Sequence, residues 1–291
     1  MIEIHCAVFL FGLAGLFGKF LSLPPLLIVL GRTVFASICL ILIIACHKKS
    51  LTIKSGRDFK ILAAMGIILS IHWVTFFHSI QVSTVAVGLL TFSTYPFFVT
   101  ILEPYFFKEK LTFFSVCLAV LVCIGVALII PSFSFSNNIT QGISWGILSG
   151  FTFAVLSLLN RKYVQTYSPL IITFFQNSFA AVVLFPFLFF EEWEIHTGDI
   201  FFLMVLGIFC TALAHTLFIS GLMHVKAQIA SIVAGLEPVY GIIFALILFG
   251  EVPSLRTLSG GVLIMGTAVL ATLKQVPRVG SKNYLWKQIL K

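Results

Sequence analysis

Long stretches of this chain carry almost no polar side chain, and the polar residues that interrupt them recur at intervals near one membrane crossing. A spanning helix needs about 20 apolar residues. Runs of roughly that length lie near 4–21, 26–46, 60–78, 83–107, 112–130, 142–160, 169–190, 200–221, 227–249 and 256–273. They predict ten transmembrane helices and an all-α integral membrane protein. The connections are short and hold turn formers, as in "SLPP" at 22–25, "PSFSFSNN" at 131–138 and "TYSP" at 166–169. No soluble domain fits between the runs.

The cations fall on one set of alternate loops. The segment "HKKSLTIKSGRDFK" between the second and third runs holds five Lys and Arg residues; Lys108 and Lys110, Arg161 and Lys162, Lys226, and Lys274, Arg278, Lys282, Lys287 and Lys291 continue the set. The opposite loops hold Arg256 alone, and "EEWEIHTGD" between the seventh and eighth runs is acidic. By the positive-inside rule both termini face the cytoplasm, in a multi-pass protein expected in a bacterial inner membrane. Lys19, at the far end of the first run, argues the other way. A composition 59% hydrophobic and 10% charged, with a net charge of +8, leaves no surface for nucleic acid, because the cations sit between apolar runs. The cysteines Cys6, Cys39, Cys46, Cys117, Cys123 and Cys210 lie inside the runs without C-x-x-C spacing, as small apolar residues. Glu3 precedes the first run and no basic stretch does, so that run reads as a retained helix rather than a signal peptide.

The chain repeats itself at a shift of 142 residues. "VGLLTFSTYPFFVTILEPYFFKE" at 87–109 overlays "IASIVAGLEPVYGIIFALILFGE" at 229–251, matching Pro96 to Pro238 and Glu109 to Glu251. Phe11 matches Phe153 and Lys19 matches Arg161; with a two-residue slip Pro25 meets Pro169 and Arg32 meets Gln176. The expected units are residues 1–135, residues 136–274 and a basic tail, 275–291. Five is odd, so two like halves in one chain lie in opposite orientations, and the loop charges agree. Inverted repeats around a central cavity are a signature of secondary transporters, which exchange the conformations of the halves in alternating access.

The twice-occurring pattern of Pro, apolar run and Glu ("TYPFFVTILEPYFFKEKL" and "LEPVYGIIFALILFGEVP") resembles the EamA family of the drug/metabolite transporter superfamily. So do the helices "CIGVALII" and "IMGTAVLATL" that follow, and "SLPPLLIVLGRTVFAS" with its arginine. The resemblance covers nearly the full length. It implies a ten-helix fold with a cavity between the halves and export or exchange of small metabolites such as amino acids.

Glu237 lies mid-run, where an ionised acid costs roughly 2.5–3.5 kcal/mol on insertion scales, and is expected to face a cavity or to hydrogen-bond a neighbouring helix. Pro238 removes a backbone donor and is expected to act as a hinge, as is Pro96. Across the 142-residue shift Tyr95 stands for Glu237 and Trp73 for His215. A cavity built this way has an aromatic wall (Trp73, Tyr95, Phe11) and a polar wall (His215, Glu237, Tyr240), suited to a zwitterionic or amine-bearing solute. Arg32 either receives a substrate carboxylate, or snorkels, or ties its helix to a neighbour. Gln176 and Asn177 invite the same alternatives, whereas His72, His78 and His224 read as interhelical hydrogen-bonding groups. Glu109 and Glu251 read as acids beside the helix starts that follow them, and Glu103 as a partner of Lys108 or Lys110.

Glu237, with His215, is the candidate for proton coupling. No nucleotide-binding, metal or cofactor motif is present; H-E-x-x-H, G-x-S-x-G and aspartate-rich clusters are absent, which weakens the rival reading of an intramembrane enzyme. "NYLWKQILK" reads as an interfacial helix or a frayed basic tail. Asn138–Thr140 matches a glycosylation sequon, a pattern common by chance.

Overall fold

The computed structural model describes residues 1–107, 113–129, 137–189, 194–225 and 227–275. Glu109 with Lys108 and Lys110, Lys226, and the tail from 276 with its expected interfacial helix lie outside the described residues.

All described secondary structure is helical. Helices α1 (Ile2–Ala14) and α2 (Phe17–Phe20) make up the first run, followed by α3 (Pro25–Cys46) and α4 (Gly56–Val82). Then come α5 (Val85–Phe92) with α6 (Tyr95–Phe107), α7 (Phe113–Ile129), α8 (Asn138–Tyr163) and α9 (Pro169–Leu184), which ends in a 3-10 turn at Phe185–Phe189. Next are α10 (Thr197–Gly207), a π-helical stretch Ile208–Leu213 and α11 (Ala214–Gly221), then α12 (Ala227–Ala234), α13 (Glu237–Phe249) and α14 (Leu255–Gln275). Among the described residues seven continuous runs, some interrupted by a turn, are long and apolar enough to cross a bilayer.

The ends follow local chemistry. Pro25 and Pro169 open α3 and α9 in the first turn, where no backbone N–H is required. Ser55 caps α4 by accepting from Asp58 N, and Asn137 caps α8 by accepting from Ile139 N at 2.8 Å. Gly250, at φ +66°, closes α13 in the left-handed conformation.

Two runs break in the same way. Ser93 N donates to Leu89 O, Thr94 N to Thr91 O and Phe98 N to Thr94 O. Each of these bonds recurs 142 residues later, as Gly235 N to Ser231 O, Leu236 N to Val233 O and Tyr240 N to Leu236 O. The bonding tightens by one residue, the helix stops, and a new one starts with Pro96 or Pro238 in its second position. The prolines therefore sit at the starts of half-helices, beside the breaks, rather than inside continuous helices.

Packing relies on close backbone approach, as usual where lipid gives no hydrophobic drive between helices. A Cβ on Gly12 of α1 would lie 2.8 Å from Tyr240 Cβ and 3.0 Å from the Glu237 carbonyl oxygen of α13. One on Gly125 of α7 would lie 2.7 Å from Ile264 Cγ1 of α14.

Glu251 is placed differently from expectation, and Glu103 has a partner on another helix, while the Lys108 and Lys110 expected for it lie outside the described residues. Glu251 accepts from Val85 N at 3.0 Å, in the first turn of α5 rather than of α14, and stands 3.7 Å from Lys19 Nζ. The free N–H groups and dipole of a half-helix start make that position favourable for a carboxylate. Glu103 pairs with Arg161, whose guanidinium also lies 4.1 Å from the Phe107 ring centroid. The cause is that α6 and α8 run side by side in one direction. Tyr95 meets Phe153, with ring centroids 5.1 Å apart, and eight residues further on each helix Glu103 meets Arg161.

Candidate functional site

The interruptions in the helices converge on a small space of about 20 Å³. Arg32 enters it from α3 and is 1% exposed, so it does not snorkel. Its Nε donates to Thr211 Oγ1 at 2.8 Å and its Nη2 to the Cys210 carbonyl at 3.2 Å. Both acceptors belong to the π-helical stretch. A π-turn displaces the regular i→i−4 ladder, and the Thr211 hydroxyl in turn donates to Leu206 O at 2.8 Å, five residues back. The guanidinium carbon stands 3.8 Å from the Trp73 ring centroid and 5.4 Å from that of Phe77.

Glu237 reaches the same space from the first residue of α13. It is 4% exposed, and its carboxylate makes no ion pair among the described residues. An arginine and a glutamic acid thus border one cavity with no ion pair between them. An uncompensated buried acid is costly, and the arrangement leaves both groups available to a third party.

The remaining walls are rings. Phe11 packs 4.9 Å from His215, and His215 meets Trp73 edge-on at 4.8 Å. His72 lies 4.8 Å from Phe153. His72 Nδ1 lies 2.8 Å from Ser149 Oγ and 3.1 Å from Ser149 O, the interhelical bonding anticipated for it, yet it lines the cavity as well.

Of the residues singled out from sequence, Phe11, Arg32, Trp73, His215 and Glu237 border the cavity. Tyr95 stands behind that wall, stacked on Phe92 at 5.3 Å. Tyr240 is half-buried and meets Phe9 edge-on at 5.4 Å, outside the cavity lining. Gln176 is buried on α9 and donates to Asn160 Oδ1 at 2.5 Å, away from the cavity lining. His72, Phe76, Phe92, Phe153 and Ala14 complete the lining and were not selected. Only Phe153 carried a signal, as the counterpart of Phe11; Phe76 and Phe92 are two among 32 phenylalanines.

The comparisons with known proteins agree with this architecture. The chain is 27% identical to an uncharacterized transporter, YxxF, of Bacillus subtilis over 94% of this chain and 90% of that relative. It is 26% identical to an S-adenosylmethionine uptake transporter of Rickettsia felis over 87% of this chain and 84% of that one. A solved crystal structure superimposes over 97% of this chain and 98% of the other with a TM-score of 0.69 at 17% identity, a likeness of fold. The model of the EamA-like transporter family matches twice, at residues 2–130 and 140–273. With its helices long and apolar enough to span a bilayer and nearly its whole length matched, the chain belongs to the EamA-like transporter family.

Proposed function

We propose that this membrane transporter exports or exchanges a small zwitterionic metabolite of the amino-acid class, by alternating access between two inverted five-helix halves. The observation that carries the reading is the separated pair, Arg32 and Glu237, facing one cavity walled by Trp73, Phe11, His215 and Phe153. An α-carboxylate matches the planar donor fork of arginine, and an α-ammonium matches the carboxylate. The rings suit an apolar, aromatic or cationic side group. S-adenosylmethionine, named for the Rickettsia relatives, is itself an amino acid with a sulfonium and an aromatic base, which fits the same chemistry.

The halves are residues 1–135 and 136–274, each contributing five of ten membrane crossings, with both termini cytoplasmic. The matched breaks before Pro96 and Pro238 and the two family matches support the repeat. The size of the cavity supports alternating access. About 20 Å³ holds roughly one water, whereas small-molecule pockets run to roughly 300–1,000 Å³, so the walls must part to admit a solute. Glu237, with His215 beside Trp73, is the group through which a proton would enter the cycle.

Counterflow of a labelled amino-acid panel into proteoliposomes tests the proposal. Exchange that saturates with at least one zwitterionic amino acid is expected. Flux of amines or carboxylates alone, with none for amino acids, would sink it.

A further inference from the structure

Beneath the cavity, on the side where Arg161 lies, the α8 face that carries Phe153 continues through Ser157 and Asn160, about one and two turns on. The parallel course of α6 brackets this stretch between the Tyr95–Phe153 contact and the Glu103–Arg161 pair. Eight residues separate those two levels on each helix, roughly 12 Å at 1.5 Å per residue. The stretch is polar and its bonding is incomplete. Asn160 Oδ1 accepts from Gln176 Nε2, but Asn160 Nδ2, Gln176 Oε1, Ser157 Oγ and the Tyr95 hydroxyl have no hydrogen-bond partner among the described residues. These four residues are each 1% exposed or less.

Leaving a buried polar atom unpaired costs roughly 1–3 kcal/mol, and native interiors pair nearly all of theirs. Turning either amide over does not remove the surplus, since an amide pair joined by one bond always keeps a further donor and acceptor. Packing alone does not call for such residues. The positions 142 residues before Ser157 and Asn160 are Gly15 and Gly18, which carry no side chain.

We propose that Ser157, Asn160 and Gln176, with the Tyr95 hydroxyl at the upper end, form a second solute subsite on the path from the cavity toward the Arg161 face. It takes an uncharged group that both donates and accepts hydrogen bonds, a hydroxyl or a carboxamide. Amides and hydroxyls cannot neutralise a charge, so the charged ends of the solute stay with Arg32 and Glu237 while this subsite selects the side group. The Glu103–Arg161 pair closes its far end.

The choice of probes rests on the amino-acid reading, and two measurements separate the claims. In the Asn160→Leu/Gln176→Met double variant both amides become apolar groups of similar size, so no orphan is created. Counterflow of labelled glutamine and threonine is expected to fall at least tenfold, and that of leucine and valine to change less than threefold. Equal losses in both classes, or no loss in either, overturn the subsite. The second measurement needs no substrate. Ser157→Cys, with the native cysteines replaced by alanine, is expected to react with a membrane-impermeant thiol reagent applied from the Arg161 face and not from the opposite face. No reaction from the Arg161 face overturns the subsite even if amino acids are carried. A wild-type protein that carries none of the panel overturns the amino-acid reading, and the cysteine result then decides the subsite.

Discussion

Arg32 is held by two hydrogen bonds and a stacked indole, which leave the other donors of its five-N–H fork uncommitted. A carboxylate takes two such donors in parallel. Arg32→Gln should therefore lower counterflow of an amino acid by about tenfold to a hundredfold, the equivalent of roughly 1.5–3 kcal/mol in charged hydrogen bonds. Flux of the corresponding decarboxylated amine should change much less, and equal losses for both would assign Arg32 to structure alone. Glu237 supports the converse expectation. Glu237→Gln keeps the shape and removes the titrating group, so exchange measured from mildly acidic to mildly alkaline pH should lose whatever pH dependence the wild type has. An unchanged profile would remove the proton from the cycle and leave an exchanger or facilitator.

Among the elements, the interrupted helices position the chemistry. The π-helical stretch Ile208–Leu213 presents to Arg32 the Cys210 carbonyl, which a regular α-helix would keep within its own ladder, and beside it the Thr211 hydroxyl. Thr211→Val keeps the volume and leaves Arg32 Nε without its buried acceptor. A loss of about 1–3 kcal/mol in stability is expected, read as a lower unfolding midpoint in detergent, with Thr211→Ser close to wild type. The half-helix start at Glu237 places a carboxylate where backbone N–H groups are free, which eases the burial of an acid. The start at Tyr95 has the same geometry and carries a phenol, so like-shaped elements contribute unlike groups.

For the molecule as a whole, contacts at the ends of the helices join distant parts of the chain on both sides of the cavity. On one side Lys19 Nζ donates to Ser83 O at 3.3 Å and faces Glu251, which caps α5; this joins parts of the chain more than 160 residues apart. A crevice of about 530 Å³ bordered by Lys19, His78 and Gln81 opens beside it. On the other side Glu103 and Arg161 join α6 to α8. The Lys19–Glu251 pair is partly exposed, and such pairs are worth about 0.2–1 kcal/mol, enough to shift a two-state population roughly 1.5-fold to fivefold. Lys19→Gln or Glu251→Gln should raise, within that range, the rate at which a cysteine at Ala14, on the cavity wall, reacts with a thiol reagent applied from the Lys19 side. An unchanged rate would show that the pair does not hold that side shut.

Whether a stretch of chain suits a bilayer is decided by its own 20 or so residues, so the helical class and seven of the ten expected spans, those matched among the described residues, were legible without coordinates. The run expected at 60–78 extends to Gly56–Val82, and the one at 227–249 keeps its limits. The family, too, was carried by local motifs around Pro96 and Pro238. Which polar residues meet was not local. Arg32 finds Thr211, Glu103 finds Arg161 and Glu251 finds Val85 across 179, 58 and 166 positions. A periodic pattern says that a side chain leaves the lipid face but not which helix receives it. That is why Tyr240 and Gln176 read as cavity residues while His72 and Phe92 did not. The π-stretch beneath Arg32 left no mark in an apolar sequence, because its extra residue is stabilised by a guanidinium on another helix. Tertiary contact alone decided it.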